Sequence, residues 1–216
     1  MILSRGRKYL FIHIPKTGGT ALALALEARA MNDDIMLGDT PKARNRRKRV
    51  QGITTAGRLW KHSTLSDLDG LIAPGELDGL FCFTLVRNPW DRMVSYYHWL
   101  QGQRFDHPAV TLAQTLDFDG FLAHPATQAS IRATPARSYM TDAAGQERCD
   151  AYIRLERFAE DAAPLVEHLG FPLVPERINA SDRARDWRGY YSDAGAALVG
   201  RLCAEDIARF GYGFDP

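Results

Sequence analysis

Cysteine is scarce in this chain of 216 residues: only Cys82, Cys149 and Cys203 occur, and no two of them form a C-x-x-C pair. An odd number of widely spaced cysteines argues against both a disulfide framework and a zinc site. We therefore expect a protein of a reducing compartment, the cytoplasm, with Cys82 buried in the core because it lies within an apolar run.

Long apolar runs and a strong charge of one sign are missing too. No stretch approaches the roughly 20 apolar residues of a transmembrane helix, and we see no signal peptide in residues 1–8. The formal net charge of +1 argues against nucleic-acid binding, so that any anion must be bound by a local cluster. Without a repeat, a low-complexity tract or a second domain, we expect a single domain over residues 1–216.

The most informative segment is residues 11–20, Phe-Ile-His-Ile-Pro-Lys-Thr-Gly-Gly-Thr. A strand-like run, Tyr9–Ile14, leads into a glycine loop, and Ala21–Ala30 has high helix propensity. This order predicts an anion cradle, because the N–H groups of the loop and first helical turn converge and the helix dipole favours negative charge. Lys16 adds a full positive charge. The loop is not a Walker A sequence, since its lysine precedes the glycines.

A second strand-to-helix junction follows at residue 87. The apolar run Leu80–Val86 predicts a buried parallel strand, and Arg87–Arg92, with sequence R-N-P-W-D-R, carries an N-cap asparagine and a proline at the first helical position. Arg87 is thereby fixed where the strand ends, and Arg92 and Ser95 lie one turn apart on one helix face. An arginine and a hydroxyl held in this way can bind a phosphate.

Together, Pro-Lys-Thr-Gly-Gly-Thr and Arg-Asn-Pro-x-Asp-Arg-x-x-Ser-x-Tyr resemble the motifs of sulfotransferases that use 3′-phosphoadenosine 5′-phosphosulfate (PAPS). The resemblance is to the carbohydrate type (family 2), with its many bacterial members. It continues through residues 150–156, 179–181, 190–191 and 206–214. It implies a P-loop-like, three-layer α/β fold with a central, mainly parallel sheet flanked by helices, which the alternation of strands and helices also predicts.

The resemblance also implies roles for individual residues. It assigns binding of the 3′-phosphate to Arg87 and Ser95. It assigns binding of the 5′-phosphosulfate to the first motif, which comprises Lys16, Thr17, Gly18, Gly19, Thr20 and Ala21. Lys16 would also stabilise the charge that develops on the bridging oxygen. The implied reaction moves the sulfuryl group to a hydroxyl or amine of an acceptor, releases adenosine 3′,5′-bisphosphate and needs no metal. The family label favours a carbohydrate or glycoconjugate as acceptor, and a small molecule, a lipid or a peptide remains the alternative.

The acceptor hydroxyl needs a general base, and His62 has the best context for that role. It precedes Thr64 and Asp67, which have capping-box spacing ahead of a predicted short helix ending near residues 74–75. Relatives of the carbohydrate type also often carry a histidine in this interval. We expect activity to rise with pH near the unperturbed histidine pKa of about 6.5. A carboxylate base, Glu156 or Asp91, remains the alternative.

The five other histidines have weaker claims to catalysis. His13 alternates with apolar neighbours, which favours the core, and His168 lies near a predicted helix end, where a cation suits the dipole. His107 and His124 each precede a proline in a loop and could lie near the acceptor. His98 shares the helix side of Ser95.

Elsewhere the pattern is coarser. The run Lys42–Arg49, K-A-R-N-R-R-K-R, favours a solvated, mobile segment or else a basic flap that steers an anionic acceptor or PAPS. We predict a strand at Tyr152–Leu155, helices at Ala159–Leu169 and Asp193–Arg209, and short helices or loops at residues 119–124 and 135–140.

Two other function classes fit part of the sequence. A P-loop nucleotide kinase would need a lysine after the last loop glycine and a magnesium-binding carboxylate at a neighbouring strand end, where this chain has Arg87. A non-catalytic nucleotide-binding protein could keep the fold, although it would have no need of Lys16, Arg87, Ser95 and a base together.

Overall fold

The computed structural model describes residues 1–175 and 186–215. Two compact units form, each from two separate stretches of chain: Met1–Val86 with Ala136–Ile178, and Arg87–Pro135 with Asn179–Pro216. Residues 179–181, where the sequence continues to resemble the sulfotransferases, lie outside the described residues. No helix in the described part of the chain is long and apolar enough to cross a membrane.

The first unit is built on a five-stranded sheet of order β3-β1-β2-β4-β5. The strands are β1 (Ile2–Ser4), β2 (Tyr9–Ile12), β3 (Ile35–Met36), β4 (Phe81–Val86) and β5 (Ala151–Arg154). β2, β4 and β5 pair in parallel, and β1 runs antiparallel to both β2 and β3. All strands except β1 therefore share one direction. The predicted α/β fold with a central, mainly parallel sheet flanked by helices is confirmed.

The helices are α1 (Gly19–Glu27), α2 (Pro41–Arg46), α3 (Pro89–Gln101), α4 (Pro108–Thr115), α5 (Phe118–Ala123), α6 (Pro125–Ala133), α7 (Ala136–Tyr139), α8 (Phe158–Asp161), α9 (Ala163–Leu169), α10 (Asp193–Leu202) and α11 (Ala204–Phe210). α1, α2 and α7 to α9 belong to the first unit, and α3 to α6 with α10 and α11 belong to the second.

β2 and β4, the strands that precede the two predicted strand-to-helix junctions, form the middle of the core. Phe11 of β2 lies opposite Phe83 of β4, with ring centroids 5.3 Å apart. Leu22 of α1 and Leu165 of α9 belong to the same buried cluster. The alternate residues of the two strands, such as Leu10, are also buried. Burial on both faces explains why these strands are apolar almost throughout.

Two predicted helices are divided in the structure. Ala159–Leu169 becomes α8 and α9, because Pro164 has no N–H to continue the first helix and instead stands in the first turn of the second. Asp193–Arg209 becomes α10 and α11, which part at Cys203 (φ −107°, ψ 19°). The charges suit two helices, with Arg201 in the last turn of α10 and acidic residues in the first turn of α11.

The predicted capping box forms, but its helix is short. The Thr64 N–H donates to Asp67 Oδ2 at 2.8 Å, and the Asp67 N–H donates to Thr64 Oγ1 at 3.3 Å. Only one 3₁₀ turn follows, Ser66–Leu68. The chain then reverses at Gly70 (φ 93°), where a Cβ would collide with the carbonyl oxygen of Thr54. A helix cannot continue through that conformation.

His107 and His124 serve as N-caps of α4 and α6. The Nδ1 atom of His107 accepts from the Ala109 N–H at 3.1 Å, and that of His124 accepts from the Ala126 N–H at 3.2 Å. In each case a proline occupies the first helical position, which also favours the extended backbone that a cap requires. The proline that follows each histidine is therefore a helix-start signal.

This geometry predicts that His124→Ala lowers the free energy of unfolding by about 0.5–2 kcal/mol, since an orphan helical N–H loses its acceptor. His124→Asn supplies the same kind of acceptor and should retain most of the stability. Urea denaturation of the three proteins measures the difference. Equal stability of the alanine and asparagine variants would show that the cap contributes nothing.

Candidate active site

The glycine loop joins β2 to α1 in a tight, self-bonded turn. Lys16 and Gly18 both have positive φ, 66° and 87°, and for a lysine this left-handed conformation is costly. The Thr17 hydroxyl donates to the Ile14 carbonyl at 2.8 Å, and its side chain is buried. That hydroxyl closes the loop through an internal hydrogen bond, so the Thr17 side chain determines the shape of the turn.

The N-terminus of α1 differs from those of most longer helices in the chain. Its N-cap, Gly18, provides no side-chain hydrogen bond, and its first turn carries no acidic residue. Side chains do cap six other helices, and these caps are Thr40, Asn88, His107, Asp117, His124 and Ser192. The amides of Gly19 and Thr20 precede the first intrahelical bond, which runs from the Ala21 N–H to the Gly18 carbonyl. Such a helix start suits an anionic ligand.

A glycine is required at position 19 because a histidine ring occupies the place of its side chain. A Cβ at Gly19 would lie 2.5 Å from His13 Nε2 and closer still to the ring carbon Cδ2. His13 is 7% exposed, as predicted for a core residue. Burial lowers the pKa of His13 well below its ordinary value, with the neighbouring His62 acting in the same direction. His13 is thus a neutral packing residue that holds the loop against α1.

His62 lies beside this loop in the same unit. Its Nδ1 atom is 2.7 Å from the carbonyl oxygen of His13, and the two rings meet edge to face with centroids 4.6 Å apart. A carbonyl can only accept, so Nδ1 carries the proton and Nε2 carries the lone pair. The bond fixes the tautomer that a general base needs.

Burial lowers the pKa of His62 to about 4, against the opposing effect of the hydrogen bond to His13. Nearby Lys61 lowers it further and forms an ion pair with Asp39. A histidine with this pKa is neutral throughout the physiological range. The expected rise of activity with pH therefore moves from near 6.5 to about pH 4.

In the second unit, the junction signals place Arg87 as expected. The Asn88 side chain caps α3 through the Trp90 N–H at 3.1 Å. The guanidinium of Arg87 donates through Nε and Nη2 to Asp91 Oδ2, at 2.8 and 2.6 Å, and both side chains are 15% exposed. Ser95 lies one turn farther along α3 and is buried. The ion pair fixes the direction of the Arg87 guanidinium.

Several features of the site have no local sequence signal. The His13 carbonyl, which orients His62, comes from a residue 49 positions away. Trp60 meets the His62 ring edge to face, with ring centroids 5.1 Å apart.

The alternative base Glu156 lies on the surface in the 3₁₀ turn Leu155–Arg157.

The cysteines are not candidates for nucleophilic chemistry. Burial raises the pKa of the Cys82 thiol to about 12 and that of Cys203 to about 11, and it raises the pKa of Cys149 as well. All three are free thiols, and Cys82 lies in the core as predicted. Since the thiolate is the reactive form, these thiols are poor nucleophiles.

Comparison with known proteins gives a distant structural likeness. No protein-family model matches the chain, and no curated protein matches it. The crystal structure of mouse sulfotransferase SULT7A1 complexed with PAP is similar, with a TM-score of 0.47 and 14% sequence identity over 95% of this chain and 85% of that one. A likeness at this level assigns no residue role to this chain.

The contact of His13 with Gly19 predicts a coupled pair of substitutions. Gly19→Ala should lower the free energy of unfolding by about 1–3 kcal/mol, because the new methyl group overpacks a buried contact. In the His13→Ala background the ring is absent, so adding Gly19→Ala should lower the free energy of unfolding much less than it does in the wild type. Thermal or urea unfolding completes the cycle, with Gly79→Ala as control, since a Cβ there meets nothing within 4 Å. Additive effects would contradict the contact.

Proposed function

We propose that this chain is a PAPS-dependent sulfotransferase that acts on a hydroxyl or amine of a carbohydrate or glycoconjugate. The observation that carries the proposal is the hydrogen bond from His62 Nδ1 to the His13 carbonyl at 2.7 Å. It ties a neutral, correctly protonated base to the segment that forms the anion-binding loop. The paired sequence motifs, which resemble those of the sulfotransferases, support the same function.

The residues of the loop fit a phosphosulfate group. The uncapped, acid-free start of α1 and the left-handed Gly18 leave backbone amides as the natural anion donors. Lys16 contributes the full positive charge. PAPS supplies the sulfuryl group to be transferred. The loop amides and Lys16 then stabilise the negative charge that develops on the phosphate oxygen as the bond to sulfur breaks, a preorganised electrostatic effect.

The base acts on the acceptor. His62 Nε2 takes the proton of the attacking hydroxyl, and the His13 carbonyl holds the ring and stabilises the imidazolium that forms. Such a positioned base contributes about 10²–10⁴-fold to the rate. In the second unit, Arg87 and Ser95 are assigned to the 3′-phosphate. The ion pair with Asp91 orients the guanidinium for that contact and holds it ready before the nucleotide arrives.

The junction after β4 also bears on the kinase alternative. A magnesium-dependent phosphotransferase would use a carboxylate at the end of that strand, where this chain has Arg87. An arginine there suits a phosphate ligand and disfavours a cation.

The first prediction separates the two phosphate sites. Lys16→Ala should weaken the binding of adenosine 3′,5′-bisphosphate and of adenosine 5′-monophosphate alike. The expected loss of binding free energy is about 1.5–3 kcal/mol, as for a charged hydrogen bond. Arg87→Ala should weaken the binding of the bisphosphate only, because the monophosphate lacks the 3′-phosphate. Calorimetric titration measures both, with the exposed Arg132→Ala as control. Equal losses of the two nucleotides in Arg87→Ala would refute the assignment of Arg87.

The second prediction concerns His62. His62→Ala should leave the bisphosphate affinity nearly unchanged and lower sulfuryl transfer from PAPS by about two to four orders of magnitude. His62→Asn should do no better, because an amide cannot take a proton. In the wild type the rate should rise as pH increases through about 4, where His62 loses its proton, and should be flat near neutrality.

Thermal unfolding of each His62 variant shows whether its fold is intact. A well-folded His62→Ala protein that transfers sulfate at near wild-type rate would exclude His62 as the base. Glu156 would then be the next residue to substitute.

A further inference from the structure

The basic run of residues 42–49 is ordered, contrary to the expectation of a mobile segment. It forms α2 and then a 3₁₀ turn that ends at Val50. Two of its side chains donate to backbone carbonyls elsewhere in the first unit: Lys42 to that of Glu27 at 2.5 Å, and Arg49 to that of Asp34 at 2.7 Å. The regular structure ends with this turn, and the chain then continues to His62 by an irregular path.

The irregular segment that follows, residues 51–65, carries His62. Its residues, all of which the structure describes, form no helix and no strand, so their backbone N–H and C=O groups have no ladder in which to pair. Up to position 64 every residue is at least partly exposed except Ser63, which has no exposed surface. Burial of a hydroxyl is costly unless it is hydrogen-bonded, so the partners of Ser63 show what holds this segment in place.

The Ser63 side chain closes residues 58–63 into a loop, which we call the Ser63 loop. Its Oγ atom accepts a hydrogen bond from the Trp60 N–H at 2.9 Å and lies 2.9 Å from the Arg58 carbonyl oxygen. The Trp60 carbonyl oxygen, 3.0 Å from Oγ, also accepts from the Ser63 N–H at 3.2 Å. A hydroxyl has only one proton, so Oγ can donate it to Arg58 while the Ser63 N–H serves Trp60. One buried residue thus pairs three backbone groups of the loop.

The Ser63 loop holds the indole of Trp60 beside the base. Ser63 binds both the N–H and the carbonyl of Trp60, and the indole meets the His62 ring edge to face with centroids 5.1 Å apart. The guanidinium of Arg58 lies 5.5 Å from the indole centroid. Because Trp60 is 42% exposed, its ring is not fixed by burial in the core, and its place depends on the backbone that carries it.

Contacts beyond the hydrogen bond to His13 are needed because one hydrogen bond does not fix a ring. The bond from His62 Nδ1 to the His13 carbonyl, at 2.7 Å, fixes one corner of the imidazole and leaves the ring free to rotate about the line between the two atoms. Such a rotation moves Nε2, the atom that takes the proton. The rings of His13 and Trp60, with centroids 4.6 and 5.1 Å from that of His62, restrict this rotation.

We propose that Ser63 is a positioning residue for the base, and that it acts through Trp60. The hydroxyl fixes the Trp60 backbone, the indole restricts the His62 ring, and the direction of Nε2 is set as a result. With no exposed surface, Ser63 cannot itself contact a bound ligand. The inference rests on the proposed function, in which His62 is the base.

The first test uses the full chain without substrate. An aromatic ring shifts the NMR signals of the protons beside it, so Trp60→Ala should move the signals of the carbon-bound ring protons of His62. Ser63→Ala should move them in the same direction, because the indole leaves its place. Trp99→Ala removes another exposed tryptophan, from the second unit, and should leave them unchanged. His62 signals at their wild-type positions in Ser63→Ala would overturn the proposal.

The second test measures sulfuryl transfer from PAPS to chitotetraose, a neutral saccharide with free hydroxyls. Ser63→Ala should lower kcat by about ten- to hundredfold, because a small misplacement of a reacting group is costly, and should keep the affinity for adenosine 3′,5′-bisphosphate within about twofold. Trp60→Ala should lower kcat similarly. The double variant should lose little more than either single variant, since the two residues act in series. Losses that multiply would refute the route through Trp60.

A variant of the second unit controls for loss of stability. His124→Ala removes a helix cap there and should reduce the stability of the fold while keeping the wild-type kcat and His62 signals. If Ser63→Ala does not fold, hydrogen exchange in the wild type decides instead. The Trp60 amide should exchange slowly although the residue is exposed, because it donates to a buried oxygen. Exchange of that amide as fast as in an unfolded chain would contradict the proposal.

Failure of the proposed function would be seen separately. Thermal unfolding of the wild type is measured with adenosine 3′,5′-bisphosphate, which should stabilise the fold if it binds. Absence of this stabilisation would refute the proposed function, whereas the NMR and exchange measurements would still decide whether Ser63 positions His62.

Discussion

The candidate site depends on one hydrogen bond, from His62 Nδ1 to the backbone carbonyl of His13. Because that carbonyl belongs to the residue where β2 passes into the glycine loop, the orientation of the base and the path of the loop cannot change independently. The same bond removes any choice of tautomer, since a carbonyl cannot donate. Burial then removes the choice of charge, because the pKa of about 4 leaves the imidazole neutral near pH 7. A weak base is thereby kept in the state that can accept a proton.

Helix starts organise both units, and they do so in two ways. Among the other described helices of eight or more residues, a side chain supplies the missing acceptor at each start, as Asn88 and His124 do. At α1 the chain instead presents a glycine in the left-handed conformation and leaves the acceptor to be supplied from outside. This contrast within one molecule supports a ligand at α1 more firmly than the loop sequence alone, since glycine loops also occur in ordinary turns.

The sequence predicts those parts that depend on neighbouring residues. The Asn88-Pro89 start of α3, the strand before it, the Thr64–Asp67 capping box and the strand–loop–helix of residues 9–27 all follow from local rules, and the structure contains them. The helix break at Cys203 and the order in residues 41–50 were not predicted. In the second case the ordering contacts reach back to Glu27 and Asp34, which the pattern of the run itself cannot reveal. The contact of His62 with His13 is likewise non-local, so the sequence could nominate the histidine but not its tautomer or its pKa.

The edges of the sheet have a consequence for the behaviour of the chain at high concentration. β3, at one edge, has only two residues, too few to template a strand from another molecule. At the other edge, the terminal N–H of β5 is occupied, because Arg154 donates it to Asp161 at 3.0 Å while its guanidinium binds the same carboxylate. Exposed strand edges are the usual starting points of β-aggregation. The β3 edge is thus a poor template because of its shortness, and at the β5 edge a carboxylate occupies the backbone N–H of the last residue.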